Sequence, residues 1–154
     1  MNKFELQQRT KKFHVEIIKL CENFPKNAAG FETAKQLIRS AGSVGANYRA
    51  ACRGKSKADF IYKIEIVLEE ADESLYWLEV SQEAELIKSS NTEVLIKEAN
   101  ELVSIFNAAD ITAKKTETKL ISKSLNLKIR NNSYVFTKKK QNPSSITGYK
   151  KYGQ

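Results

Sequence analysis

The chain of 154 residues has few of the residue types on which several classes of protein depend. Its 2 cysteines have no CxxC spacing and it has 1 histidine, which excludes a disulfide framework and the usual zinc sites. A di-iron helical bundle needs two Glu-x-x-His pairs, which one histidine cannot supply. With 6 glycines and 2 prolines, turn residues are too few for a many-stranded sandwich or barrel. We therefore expect helices, with no cofactor and no metal.

Long apolar runs are missing as well. Charged residues interrupt the first 20 positions, so no apolar region of a secretory signal is present there. No other segment has an apolar run that could cross a bilayer. We expect a cytoplasmic protein without a membrane partner.

Positive charge is concentrated in the last quarter of the chain. Residues 1–112 contain 15 Lys/Arg and 17 Asp/Glu, whereas residues 113–154 contain 11 Lys/Arg and a single acid, Glu117. This second segment is rich in Ser, Thr, Asn and Lys, and we interpret residues 116–154 as a basic, largely irregular tail. Alternating apolar residues from Leu125 to Phe136 could form short strands beside a partner edge.

Apolar residues recur at alternating spacings of three and four over most of residues 1–115, which predicts four amphipathic helices. Short connections between them favour an all-α, antiparallel up-and-down bundle. Its helices are expected at about Asn2–Glu22, Ala28–Gly54, Ser56–Ile87 and Asn91–Ala113. Gly54 is the expected left-handed C-cap of the second helix. Ser56 is the expected N-cap of the third helix, and Asn91 or Thr92 that of the fourth.

Two glycines, Gly42 and Gly45, lie inside the second helix, where each costs about 1 kcal/mol relative to alanine. Close packing of a neighbouring helix would offset that cost. A GxxG nucleic-acid clamp is the alternative, but that clamp requires a loop in a mixed sheet. Gly54-Lys55-Ser56 resembles the end of a phosphate-binding P-loop, yet position 49 is arginine where that motif requires glycine.

Four cations of the second helix, Lys35, Arg39, Arg49 and Arg53, fall on one stripe. Over 18 residues the stripe extends about 27 Å, a length suited to a phosphate backbone. Pairing with the acidic third helix is the alternative explanation. The tail adds further candidate nucleic-acid-binding cations among aromatic residues: Lys138, Lys139, Lys140, Lys150 and Lys151.

The third helix has a second apolar face opposite its main seam. Tyr62, Ile66, Trp77 and Val80 project to similar angles on this face. A helix at the edge of a monomeric bundle needs only one apolar stripe, so we expect another subunit or the tail to cover these residues.

Residues 24–78 resemble the bacterial four-helix bundle protein family. This family includes proteins encoded by intervening sequences of large-subunit ribosomal RNA genes and the accessory variability determinant of diversity-generating retroelements. The marks of the resemblance are Phe24-Pro25, Gln36-Leu37, Arg39-Ser40, Ser43, Ala46-Asn47, Ser56-Lys57, Glu69-Glu70, Glu73 and Trp77-Leu78-Glu79. In many members the asparagine at the position of Asn47 is followed by Ile-Ala-Glu-Gly, whereas in this chain it is followed by Tyr48-Arg49-Ala50-Ala51.

The resemblance implies a homo-oligomeric bundle, typically a barrel-like pentamer, with no known catalytic activity. Ser40, Ser43 and Asn47 would be its structural motif, and we expect Asn47 to form a hydrogen bond between helices. Retroelement members bind nucleic acid and dock on a reverse transcriptase. Two functions stay open: a nucleic-acid-binding or ribonucleoprotein accessory module, with RNA or DNA as partner, and a purely protein-binding scaffold.

Overall fold

The computed structural model describes residues 1–87 and 90–140, with side chains through residue 129 apart from that of Ser90. Four helices account for nearly all of this part, and it contains no strand. The helices are α1 Lys3–Cys21, α2 Ala28–Ala51, α3 Lys57–Glu83 and α4 Ser90–Lys140. The predicted all-α four-helix bundle is confirmed. None of the described helices is long and apolar enough to span a membrane.

Contacts between helices show that consecutive helices run in opposite directions. Lys3 at the start of α1 donates to the carbonyl of Cys52 after α2, and Lys114 of α4 lies 2.6 Å from Glu65, which is in the first third of α3. Arg9 of α1 bonds Glu98 of α4. The α2 and α3 helices meet at Ser40 and Ser74, whose hydroxyl oxygens are 2.9 Å apart. The core consists of buried side chains from all four helices, among them Ile17, Leu37, Val44, Ile64, Leu78, Leu102 and Phe106.

Polar side chains set where three helices begin. Asn2 and Glu5 form a capping box at α1, Asn27 accepts from the Gly30 amide at α2, and Ser56 accepts from the Asp59 amide at α3. Each satisfies an amide that has no partner inside the helix. The predicted Ser56 cap is confirmed.

Two helix ends differ from the prediction. The α2 helix ends at Ala51, its C-cap Cys52 is right-handed, and no described glycine has a positive φ, so Gly54 is not a left-handed cap. A Cβ at Gly54 would lie 2.8 Å from Asp59 Oδ2, so this position needs glycine for space. The α3 helix ends at Glu83 because Glu85 adopts a φ of 50° and the Leu86 amide donates to the Ser81 carbonyl, as in a Schellman motif.

The α4 helix continues well beyond the expected end near residue 115. Residues 116–140 are helical, which corrects the prediction of an irregular tail and of short strands for this range. No glycine or proline occurs between Ala113 and Lys140, so nothing in the sequence interrupts the backbone hydrogen bonds. The chain divides into two compact units after Glu117, and the second is referred to below, for residues 118–129, as the distal segment.

Candidate nucleic-acid interface

The first two cations of the α2 stripe are engaged by acids. Arg39 Nη2 lies 2.5 Å from Glu73 Oε1, and Arg39 Nη1 lies 3.8 Å from Glu70 Oε1, both on α3. Lys35 lies 3.9 Å from Glu32, one turn earlier on its own helix. Pairing with the acidic third helix is thus what the structure shows at Arg39.

The last two cations of the stripe are not engaged. Arg49 and Arg53 are exposed, and neither has an ion-pair partner in the part of the chain that the structure describes. Residues 49–58 contain no acid at all. The stripe is therefore divided electrostatically, with its N-terminal half neutralised and its C-terminal half free.

Three further cations lie near Arg49 and Arg53. Lys55 and Lys57 follow in the α2–α3 connection, and the bond from Lys3 Nζ to the Cys52 carbonyl, 2.7 Å long, holds a third ammonium there. We call these five residues the basic end of the bundle. Lys3, Lys55 and Lys57 are not among the predicted site residues, although the acid-free run at 49–58 could have indicated the two lysines of the connection.

Acids accumulate at the opposite end of the bundle. Glu22 follows α1, Glu79 and Glu83 close α3, and Glu93 lies in the first turn of α4. A nearly neutral count over residues 1–112 thus conceals a separation of charge along the bundle. Such a separation concentrates positive potential at one end.

The outer face of α3 consists of Tyr62, Ile66, Glu69, Trp77 and Val80. Tyr62 is 61% exposed, and Ile66, Trp77 and Val80 are half-buried. Trp77 Nε1 donates to Glu73 Oε1 at 3.1 Å, the same oxygen that Arg39 contacts, so the indole is oriented by the α2–α3 ion pair. The predicted interface residues lie together, and no described residue of this chain buries them completely.

The motif serines and Asn47 have separate structural roles. Ser40 is buried and bonds Ser74 across the α2–α3 contact. Burial raises the pKa of Glu70 on α3, and Ser43 is one of the groups that partly oppose this shift. Asn47 is half-buried, but its side chain donates to the Ser43 carbonyl of its own helix at 3.1 Å. The expected inter-helix bond of Asn47 is therefore wrong. Its amide is satisfied by the turn of α2 that precedes it.

Close packing explains Gly42. A Cβ there would lie 3.0 Å from the Cε1 atom of the His14 ring, whereas a Cβ at Gly45 would meet nothing nearer than Thr10 Oγ1 at 3.7 Å. Both glycines lie inside a continuous helix rather than a loop, so the GxxG clamp does not apply. Among the described side chains, no group of His, Cys, Asp and Glu is arranged to hold a metal ion.

The remaining candidates belong to the C-terminal part of the chain. Lys138, Lys139 and Lys140 lie in the last turn of α4, where the backbone is described but the side chains are not. Lys150 and Lys151 lie outside the described residues.

Comparisons with known proteins identify the family of this chain. A family model described as 23S rRNA-intervening sequence protein matches residues 2–108. This chain belongs to that family. Residues 109–154 lie outside the match. A search of curated proteins found no match.

A solved structure supports the same assignment. The crystal structure, at 1.70 Å resolution, of a protein with unknown function from the S23 ribosomal protein family of Bacteroides thetaiotaomicron shares 32% sequence identity with this chain. The alignment covers 71% of this chain and 98% of that one, with a TM-score of 0.65. Neither comparison indicates a catalytic role, and neither names a partner for this chain.

Proposed function

We propose that this protein is a non-catalytic, self-associating module that binds nucleic acid through the basic end of its bundle. The observation that carries the proposal is the group of free cations at Arg49, Arg53, Lys55 and Lys57, which no described acid neutralises. Exposed guanidinium and ammonium groups without acidic partners are the usual contacts to phosphate oxygens. The family's association with ribosomal RNA genes supports RNA as the first ligand to test.

Such an interface would have little sequence preference. Its contacts go to the phosphate backbone, which positions a protein without distinguishing bases. Repeating the basic end in each subunit of an oligomer would multiply the contacts to one nucleic acid. A barrel-like pentamer is the assembly that the family resemblance implies, and a reverse transcriptase or another ribonucleoprotein stays a predicted partner.

The first experiment measures binding of the full chain to a mixed-sequence single-stranded RNA by fluorescence anisotropy. At about 50 mM salt, where phosphate contacts are strongest, we expect binding whose log-log dependence on salt has a slope of about −0.7 for each phosphate contacted. If the protein does not bind RNA or DNA under these conditions, the alternative function, a purely protein-binding scaffold, replaces the proposal.

Self-association is tested separately by light scattering at micromolar concentration. We expect an oligomer, and a Trp77→Glu variant of lower mass with unchanged helical circular dichroism, because a carboxylate would be placed in the partly covered outer face of α3. Phe31→Glu is the matched control, since Phe31 is 59% exposed on α2. A monomeric wild-type protein would refute self-association, and loss of helicity in the Trp77 variant would identify Trp77 as a core residue.

A further inference from the structure

The distal segment exposes large aliphatic side chains that a stable helix would normally cover. Each is between 51% and 64% exposed: Leu120, Ile121, Leu125, Leu127 and Ile129. The charge of this part of the chain is exclusively positive, because residues 118–140 include seven Lys/Arg and no acid. Whatever covers this helix must therefore offer apolar surface and negative charge together.

One apolar line of the distal segment continues the seam by which α4 enters the bundle core. Within the bundle the line consists of Ala99, Phe106 and Ala113, which are 1%, 0% and 8% exposed. The same spacing of seven residues leads on to Leu120 and Leu127, with Lys123 between them on the same side. The pattern that packs α4 against other helices thus continues beyond the residues that cover it.

The outer face of α3 offers the complementary pattern. Ile66, Glu69 and Trp77 lie on it at helical spacing, and Glu69 and the neighbouring Asp72 are exposed. Neither acid has an ion-pair partner among the residues that the structure describes. An acid between apolar residues on α3 therefore matches a lysine between apolar residues on the distal segment.

We propose that the distal segment of one protein molecule docks on the outer face of α3 of a second copy. Pairing two distal segments would instead bring cations together with no carboxylate to separate them, which is unfavourable. The inference rests on the self-association in the proposed function, and it specifies which surfaces meet.

This contact joins two different surfaces rather than one surface with itself. A heterologous contact of this kind repeats head to tail and closes into a ring when the rotation allows it. A ring is the assembly form that the family resemblance implies, yet the contact uses residues beyond the family match at 2–108. It would therefore be an addition particular to chains that carry the extended α4.

Charge reversal in the full-length chain tests the contact. Lys123→Glu would place two acids against each other, and we expect the dissociation constant of the assembly, from sedimentation velocity, to rise about tenfold, which equals about 1.4 kcal/mol. Lys128→Glu is the matched control, because it makes the same charge change on another side of the same helix. Glu69→Lys should weaken assembly as Lys123→Glu does, and the double variant should recover it.

A mixing experiment distinguishes contacts between copies from contacts within one chain. Equal amounts of the Lys123→Glu and Glu69→Lys proteins should assemble with each other, because each reversed surface then meets a complementary one. Recovery in the double variant without recovery on mixing would overturn the proposal, since the contact would then lie within one chain. Equal effects of Lys123→Glu and Lys128→Glu would also overturn it while leaving self-association through Trp77 intact. A monomeric wild-type protein would refute both proposals.

Discussion

The two halves of α2 carry the same kind of cationic side chain in opposite electrostatic surroundings. In the first half, Arg39 contacts Glu73 and Glu70 of α3, and Lys35 lies near Glu32. In the second half, Arg49 and Arg53 face solvent, and the nearest cations in sequence, Lys55 and Lys57, add to their charge. The regular spacing along α2 is the same throughout, so spacing does not explain the difference.

The facing helix explains the difference between Arg39 and the two later arginines. Because α3 runs antiparallel to α2, its acidic middle lies beside Arg39. The first turn of α3, which follows Arg53, contains one acid, Asp59, and that carboxylate pairs with Lys63 rather than with a cation of α2. A row of cations on one helix therefore defines a candidate binding surface only where the neighbouring helix places no acid within ion-pair distance of it. Both halves of α2 pack against the core, but only the first half places its arginine, Arg39, against acids of α3.

Packing also differs between the halves, and glycine substitutions provide the largest expected effects. A Cβ at Gly30 would lie 2.0 Å from the Pro25 carbonyl oxygen, so Gly30→Ala must displace the α1–α2 connection. We expect it to destabilise the protein by about 2 kcal/mol or more in urea unfolding. Gly45→Ala, whose Cβ has room, should stabilise it by about 0.5–1 kcal/mol. Equal changes in the free energy of unfolding for Gly30→Ala and Gly45→Ala would contradict this difference in packing.

A smaller effect concerns Glu70, beside Arg39. Burial raises its pKa above the usual 4.5, and Arg39 only partly opposes this shift. No hydrogen-bond donor among the described residues reaches Glu70 Oε2, which is buried.

Because the folded state holds the Glu70 proton more tightly than the unfolded chain, this group favours folding below about pH 4.5 and loses that contribution as pH rises through its folded pKa. Glu70→Gln should therefore gain stability relative to the wild type as pH rises from about 4 to 7. Urea unfolding across this range measures the difference. A difference that stays constant or shrinks with rising pH would contradict the assignment.

The smallest expected effect is that of Asn47→Leu, between the two halves. Among the residues that the structure describes, the Asn47 amide bonds the Ser43 carbonyl of its own helix and no group on another helix, so its loss leaves none of them unsatisfied. We expect a change of less than about 1 kcal/mol in the free energy of unfolding. A loss of 1–3 kcal/mol would show that Asn47 bridges helices after all. Ser74→Ala is a useful comparison, because its hydroxyl does join α3 to α2.

Much of the fold could be predicted from the sequence because buried residues in a bundle recur at spacings of three and four. Leu37, Ala41, Val44 and Tyr48 of α2 follow this rule, and all four are buried. The continuation of α4 was missed because a composition of Ser, Thr, Asn and Lys suggested an irregular segment. The absence of glycine and proline from residues 114–139 permits the helix to continue, and this signal could have been read from the sequence.

The candidate site was predictable only as a set of cations. The stripe from Lys35 to Arg53 follows from helical periodicity, but its division into paired and free halves depends on which part of α3 lies opposite. The contact between Lys3 and the Cys52 carbonyl joins residues 49 positions apart, so no local pattern could place Lys3 at the basic end. Tertiary structure determines both the division of the stripe and the position of Lys3.

The most direct test of the central claim compares RNA binding by two double variants of the full chain with equal charge loss. Arg49→Ala/Arg53→Ala removes two free cations of the basic end, and Lys26→Ala/Lys35→Ala removes two exposed cations at the other end of the bundle. Fluorescence anisotropy with one mixed-sequence single-stranded RNA, over a range of salt concentrations, gives the affinity and the salt slope of each variant.

We expect the first variant to lose affinity at least about tenfold at about 50 mM salt, with a salt slope shallower by about 1.4, because two phosphate contacts are lost. The second variant should remain close to the wild type in both quantities. Equal losses in the two variants would show that binding follows net charge rather than the basic end, and would contradict the account.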